Sequence, residues 1–396
     1  MRVAVILESE LHAGGGFQQE LSTACLLARQ QGAHDFVFYA TNQQTVRVLK
    51  EKHVLVSFLA MRSLSNRFRG LARRMGVKDV SIAPFERILL RDRIDLVYFL
   101  APSGIASHLR RLNYVITVWD QCHRDHPEFP EVNFDGQFER REDVYMVTLP
   151  KAVAVLVDAP LSKENLVRRY GCDAQRVHVA SFLPSIDIKN SSEVDIKKKY
   201  GVTGKYIFYP AQFWAHKNHV YILDGLKILR GQHGLGIEAV FTGSDKKNLQ
   251  FVLSYAQKLG LKDAVHYVGF VPNEDMASFY RQAIALVMPT YFGPTNIPPL
   301  EAFALGCPVC YSDLPGLRDQ VGDAAFLMDL KDPGSLARHV VTILNDRDIV
   351  RQKISKGKTI AAGWTEDDYW NVLKGIFDEY AVKQHCWKDQ ADRSGA

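Results

Sequence analysis

Pro289-Thr-Tyr-Phe-Gly-Pro-Thr-Asn-Ile-Pro-Pro-Leu-Glu301-Ala-Phe-Ala-Leu-Gly306-Cys-Pro-Val309 is the stretch that decides the reading of this chain. The apolar run Ile284 to Met288 leads into it as a strand. A loop of Gly, Pro, Thr and Asn follows, and Pro298-Pro299 then opens a helix that ends near Gly306. Strand, glycine-bearing loop and helix in that order make an anion site. The backbone N–H groups at a helix start, aided by the helix dipole, suit a diphosphate. Glu301, one turn into the helix, is placed to accept hydrogen bonds from ribose hydroxyls. A purely structural turn with a surface Glu would leave the loop's glycines and prolines without a purpose.

Outward from this point the chain repeats one cadence. Short apolar runs separated by helical patterns occur at Tyr206 to Tyr209, Ile237 to Phe241, Val265 to Val268, Ile284 to Met288, Pro308 to Tyr311 and Ala325 to Met328. The same alternation precedes them, at Val3 to Leu7, Asp35 to Tyr39, Leu96 to Leu100, Tyr114 to Val118 and Ala152 to Val157. Near-continuous apolar strands between helices predict parallel sheets covered on both faces. Between the two sets, Pro184 to Gly204 turns polar, with Asn190-Ser-Ser-Glu and Lys197-Lys-Lys. The expected organisation is therefore an α/β chain of two Rossmann-like, doubly wound domains facing across a cleft. An N-terminal domain takes residues 1–184, a linker 185–204 and a C-terminal domain 205–365. The helix pattern Glu366 to Tyr380 is expected to pack back on the first domain, ahead of a tail over 381–396. Ligands of such sheets bind beyond the carboxyl ends of the strands.

Composition bounds what the domains do. The 396 residues, 47% hydrophobic and 23% charged, exceed one core and suit two. A net charge of +5 favours anionic small molecules and is far from that of a dedicated nucleic-acid binder. No apolar run is long enough to span a bilayer, and Met1 to Leu7 reads as a strand rather than a signal peptide, so a cytoplasmic location is expected. The six cysteines are scattered. Cys307-Pro-Val-Cys310 has no second pair and reads as buried strand rather than zinc or redox chemistry.

Four further segments carry candidate chemistry. Tyr209-Pro-Ala-Gln212-Phe-Trp-Ala-His216-Lys217-Asn218-His219 ends the first strand of the second domain, and Lys217 there is the natural clamp on a diphosphate. Trp119-Asp120-Gln-Cys-His123-Arg-Asp125-His126-Pro-Glu128 follows the strand Tyr114 to Val118. Its four Asp and His ligands crowd one loop without a distant partner cluster, which argues against a metal site. Gly14-Gly15-Gly16-Phe17 lies between strand one and a helix expected over Gln19 to Gln30, and its backbone N–H groups suit phosphate. An intact G-x-G-x-x-G is missing, which counts against a nicotinamide enzyme. Finally, Arg62 to Lys78 is basic and amphipathic, either a solvated helix face or a peripheral contact with an anionic membrane.

The sequence from Phe292 to Val309 resembles the donor-site signature of the retaining GT-B glycosyltransferases of family four, the glycosyl transferases group 1, and in particular those of polysaccharide assembly. The usual form is Glu-x7-Glu closing in a Pro-Leu-Glu-Ala helix. Its second Glu matches Glu301, and its first falls at Gly293, where the carboxylate contact to the donor sugar is absent. The resemblance implies that Gly293, Pro294, Thr295, Asn296 and Ile297 line the donor site, with Thr295 or Asn296 supplying neutral contacts. Lys217 matches the family's phosphate-binding Lys, whereas the Arg that shares this task is replaced by Gln212. His216, His219 or another cation would have to compensate. His123 matches the His that meets the donor sugar, with Asp120 orienting its ring. Gly15 and Gly16 match the glycine loop near the donor diphosphate.

Together these readings predict a metal-independent hexosyltransferase without a cofactor. It would move a hexosyl unit, with mannose from a GDP-sugar as the guess, onto a glycan or lipid-linked glycan with retention of configuration. A sugar-nucleotide epimerase of the same fold and a non-catalytic sugar-nucleotide binder are the alternatives.

Overall fold

The computed structural model describes residues 1–10, 14–59, 82–184, 193–293 and 295–387. The basic segment Arg62 to Lys78, Pro294 and residues 185–192 of the linker lie outside these described residues. The chain divides into two compact units. The first comprises Met1–Trp119, Arg140–Ala180 and Asp367–Ala396, and the second Asp120–Glu139 and Ser181–Glu366. The uninterrupted N-terminal domain expected over 1–184 is thus corrected at one place. Asp120–Glu139, the segment carrying His123, leaves the first half of the sequence and packs with the second unit.

In the first unit the described strands are β1 (Arg2–Leu7), β2 (Asp35–Ala40), β3 (Val56–Phe58), β4 (Leu96–Phe99), β5 (Asn113–Val118), β6 (Ala154–Val157) and β7 (Val177–Val179). They form one parallel sheet in the order β3-β2-β1-β4-β5-β6-β7. The apolar runs of β1, β4, β5 and β6 are buried almost throughout, as strands covered on both faces must be. The first helix starts at Gly15 and runs to Arg29, earlier than the expected Gln19, so Gly15 and Gly16 form its first turn. Gly14 precedes it with φ 73°.

The helix Glu366–Gln384 lays Tyr369, Leu373, Ile376, Phe377 and Tyr380 into this unit. Its polar contacts confirm the register. His34 Nε2 lies 2.8 Å from Asp378, and Asn113 donates to the Tyr380 hydroxyl at 3.1 Å. The Phe377 ring meets those of His34, Phe36 and Tyr98.

The second unit repeats the plan. Its described strands are β8 (Tyr206–Pro210), β9 (Glu238–Thr242), β10 (Val265–Tyr267), β11 (Leu286–Met288), β12 (Val309–Ser312) and β13 (Phe326–Met328). They pair in parallel in the order β10-β9-β8-β11-β12-β13. Cys307 and Cys310 are buried beside and within β12, and burial pushes the Cys307 thiol up to about 12. This is the buried strand that their spacing suggested.

Candidate functional site

The order of the second sheet reverses between β8 and β11, neighbours that pair through Phe208 and Leu286. Loops leaving the carboxyl ends of two such strands turn toward opposite faces of the sheet and leave a crevice between them. One loop brings Gln212 and Lys217, the other Gly293, Thr295 and Asn296.

Lys217 ends a single turn, Ala215–Lys217, closed by Asn218 in the left-handed conformation at φ 54°. Asn is among the few non-glycine residues that accept this geometry. The Tyr209 hydroxyl donates to the Lys217 carbonyl at 3.0 Å and ties the turn to β8. Lys217 Nζ lies 3.5 Å from Thr290 Oγ1 and from Asn296 Oδ1, two long contacts with neutral oxygens. Burial pushes its ammonium down to about 8, although Cys122, Asp120 and Glu131 pull in the other direction. A cation so placed gains by meeting an anion.

Asn296 precedes the helix Ile297–Leu305 and is held on every side. Its N–H donates to Gln320 Oε1 at 3.0 Å, and its carbonyl accepts from Gln320 Nε2 at 2.7 Å. Its side-chain NH2 donates to the Gly293 carbonyl at 3.1 Å and to the Tyr311 hydroxyl at 2.6 Å. The amide oxygen is thereby turned toward Lys217. The expected row of amides at this helix start is shorter than the sequence reading supposed. The Asn296 N–H is engaged by Gln320, and Pro298 and Pro299 have none to give. Gly293 adopts φ 107°, and a Cβ there would lie 3.0 Å from Asn296 Oδ1. The side chain that the resembling signature places at this position would be strained by that φ and would press on the Asn296 amide. Glu301 is buried, and its Oε2 accepts from the Tyr280 hydroxyl at 2.7 Å, which fixes the carboxylate.

Gln212, in place of an Arg, spends both ends of its amide locally. Its oxygen accepts from Trp214 Nε1 at 2.9 Å and its NH2 donates to Ser244 Oγ at 3.1 Å. Neither neighbouring histidine supplies the missing charge. Burial pushes His216 down to about 4 and His219 to about 3, so both rings are neutral near pH 7. The compensation expected of them is therefore not one of charge. His219 stacks on Phe213 with ring centroids 4.2 Å apart and, among the described residues, neither ring nitrogen has a hydrogen-bond partner.

Asp120–Glu139 packs against these loops. Asp120 Oδ1 accepts from the Cys122 N–H at 3.1 Å and from its thiol at 2.7 Å. His123 is fully buried, its ring edge-on to Phe138. Further along, the Glu131 carboxylate accepts from the His216 N–H at 2.8 Å and contacts the same residue's ring Nδ1. The His216 ring stacks on Phe292 at 3.7 Å, and His126 and Phe129 complete an aromatic cluster with Phe292 and Tyr291. Among the described residues no three His, Cys, Asp or Glu side chains come together as a metal site. Gly15 and Gly16 belong to the first unit, where a Cβ on Gly16 would lie 2.6 Å from the Trp119 ring.

Sequence reasoning missed Glu131, Tyr280, Tyr311 and Gln320. Nothing in their local sequence signals partners so far away along the chain. It also missed Glu8 and Glu20. Burial pushes each of their carboxyls up to about 7, and Glu20 accepts from the N–H groups of Glu8 and Ser9.

Two parallel, doubly wound sheets, whose order reverses between β1 and β4 in the first unit and between β8 and β11 in the second, match the plan of the GT-B fold of glycosyltransferases. The structure of Anabaena HepE in complex with UDP and glucose has this fold at a TM-score of 0.74 and 16% identity, matching 96% of this chain and 100% of that one. Residues 192–359, all within the second unit, match the family model described as Glycosyl transferases group 1. Among curated relatives, O-antigen chain mannosyltransferase B of Escherichia coli is 23% identical over 266 residues, 65% of this chain and 67% of the relative. Mannosylfructose-phosphate synthase of Agrobacterium fabrum is 22% identical over 202 residues, 48% of this chain. The match spans 44% of that synthase, less than half its length.

Proposed function

We propose that this protein transfers a hexosyl unit from a nucleotide diphosphate sugar to a glycan or lipid-linked glycan, with retention at the anomeric carbon, in surface polysaccharide assembly. The observation that carries the reading is Lys217, a half-buried ammonium at the switch point of the sheet whose polar contacts among the described residues are two neutral oxygens. In the reaction the bond from the anomeric carbon to the diphosphate oxygen breaks. The acceptor hydroxyl oxygen takes that place, and its proton leaves on the released nucleoside diphosphate. Charge develops on the departing diphosphate, and Lys217 with the N–H groups of Gly293, Thr295 and Ile297 stabilises it. Glu301 receives the ribose hydroxyls, and Asn296 and Thr295 the sugar. The proposed roles of His123 and Asp120 are toward the reacting carbon, and those of Gly15 and Gly16 toward the diphosphate.

Mannose from GDP-mannose is the preferred donor, supported by the mannosyl names of two relatives and by the neutral Gly293 loop. Release of nucleoside diphosphate from GDP-, UDP- and dTDP-sugars, with and without acceptor glycolipid, tests it. Turnover of none of them, or turnover undiminished in Lys217→Ala, would overturn the proposal. A second reading, a sugar-nucleotide epimerase, rests on the buried carboxyls of Glu8 and Glu20. It requires conversion of the donor sugar with no acceptor present.

A further inference from the structure

The segment Asp120–Glu139 is spliced into the first half of the sequence yet packs with the second unit. It must be held there by its own contacts, and one of them is a buried carboxylate against a histidine. The Glu131 side chain is only 6% exposed, and burying a carboxylate is unfavourable unless it is fully engaged. Among the described residues its side-chain partner is His216, met twice. The His216 N–H donates to Glu131 Oε1 at 2.8 Å, and the ring Nδ1 reaches the same oxygen. A neutral imidazole that donates from Nδ1 satisfies an ionised carboxylate without a second charge. His216 is in turn clamped from the far side. Its carbonyl accepts from the Tyr291 N–H at 3.0 Å, and its ring lies on Phe292. One carboxylate therefore joins the segment bearing Asp120 and His123 to both loops of the crevice, directly beside Lys217.

We propose that Glu131 is a positioning residue for glycosyl transfer, pinning Asp120–Glu139 to the second unit so that Asp120 and His123 keep a fixed place relative to Lys217. The assignment rests on the transferase reading for its kinetic consequence, but the pin itself is measurable without substrate. Misplacing a reacting group by an ångström costs on the order of a hundredfold in rate while leaving ground-state binding largely intact.

Amide hydrogen exchange on the full chain is the direct test, comparing the parent with Glu131→Ala and Glu131→Gln. In Glu131→Ala the amides of residues 122–136 and of His216 should exchange at least about tenfold faster, while those of β8 and β9 stay protected. Glu131→Gln, which still offers an oxygen to the His216 N–H, should recover part of the protection. Unchanged exchange overturns the proposal, and so does acceleration that includes β8 and β9, which signals general loss of stability. In steady state with GDP-mannose, or whichever nucleotide sugar the parent uses, Glu131→Ala should lower kcat at least about thirtyfold. KM for the donor and Kd for the nucleoside diphosphate should move less than about threefold, and Glu131→Gln should recover much of kcat. Full turnover in Glu131→Ala, or binding lost in step with turnover, counts against it. A parent that turns over no nucleotide sugar would remove the transferase reading and leave the exchange result to decide the pin alone.

Discussion

At Lys217 burial and chemistry pull in opposite directions. Burial lowers its ammonium to about 8, so the free protein holds the charge below that pH and loses it above. Because the charged form is the one that meets a diphosphate, kcat/KM should be flat below pH 8 and fall about tenfold per unit above it, a limb that reports the free enzyme. Lys217→Arg, which keeps its charge to far higher pH, should abolish the limb. Lys217→Ala should lower kcat/KM by about 10- to 150-fold, the equivalent of one charge-assisted hydrogen bond of about 1.5–3 kcal/mol. His219 presents the opposite case, a polar ring whose nitrogens have no hydrogen-bond partner among the described residues. Its folded pKa of about 3 lies below the ordinary 6.5, so above pH 6.5 it is neutral folded or unfolded. As pH falls from 6.5 toward 3 the unfolded chain takes up a proton that the folded one refuses, and stability is lost at up to about 1.4 kcal/mol per unit. Urea denaturation of His219→Phe at pH 7.5 and 5.0 should show a smaller acid loss than the parent. Equal losses would mean that this ring is not the source.

The central strands were legible because each is an apolar run bounded by turn residues, and β1, β5, β8 and β11 lie within two residues of their predicted limits. The edge strands β3 and β7 were not. They are three residues each, and Val177-His178-Val179 carries no more pattern than a loop. At the site, Lys217, Gly293, Asn296 and Glu301 could be read because local strand-loop-helix order predicts where they go. Glu131, Tyr311 and Gln320 could not, since hydrogen bonds across long stretches of chain leave no trace in spacing. The reading of the helix at Ile297 also overcounted its donors by passing over what Pro298 and Pro299 lack. The helix Glu366–Gln384 offers an element-level test. Phe377 is fully buried against His34, Phe36 and Tyr98. Phe377→Ala should cost about 3–5 kcal/mol. Exchange protection should fall in β1, β2 and β4 and persist in β8 and β9.

The proposed role of Lys217 gives the leaving diphosphate a cation from the protein itself. Activity should therefore be unaffected by EDTA. Turnover abolished by the chelator and restored only by a divalent ion would contradict the assignment of this role to Lys217. A peripheral contact of the basic Arg62 to Lys78 segment with an anionic membrane is a separate proposal. If the segment contacts membrane, the full chain should co-sediment with anionic vesicles and be released by salt, as an electrostatic attachment must be.

The placement of Asp120–Glu139 sets a rule for anyone who would dissect this protein. A fragment that begins at the polar connection near residue 193 contains every strand from β8 to β13 and yet is not the whole of its own fold, because twenty of its neighbours are encoded upstream. Expressed alone, it would carry a wet, sticky face of Phe292, Tyr291 and an unpartnered His216 where the parent has a covered one. Swapping halves between relatives at that connection would hand each second half a foreign cover, and the chimaera would fail at Glu131 before it failed anywhere else.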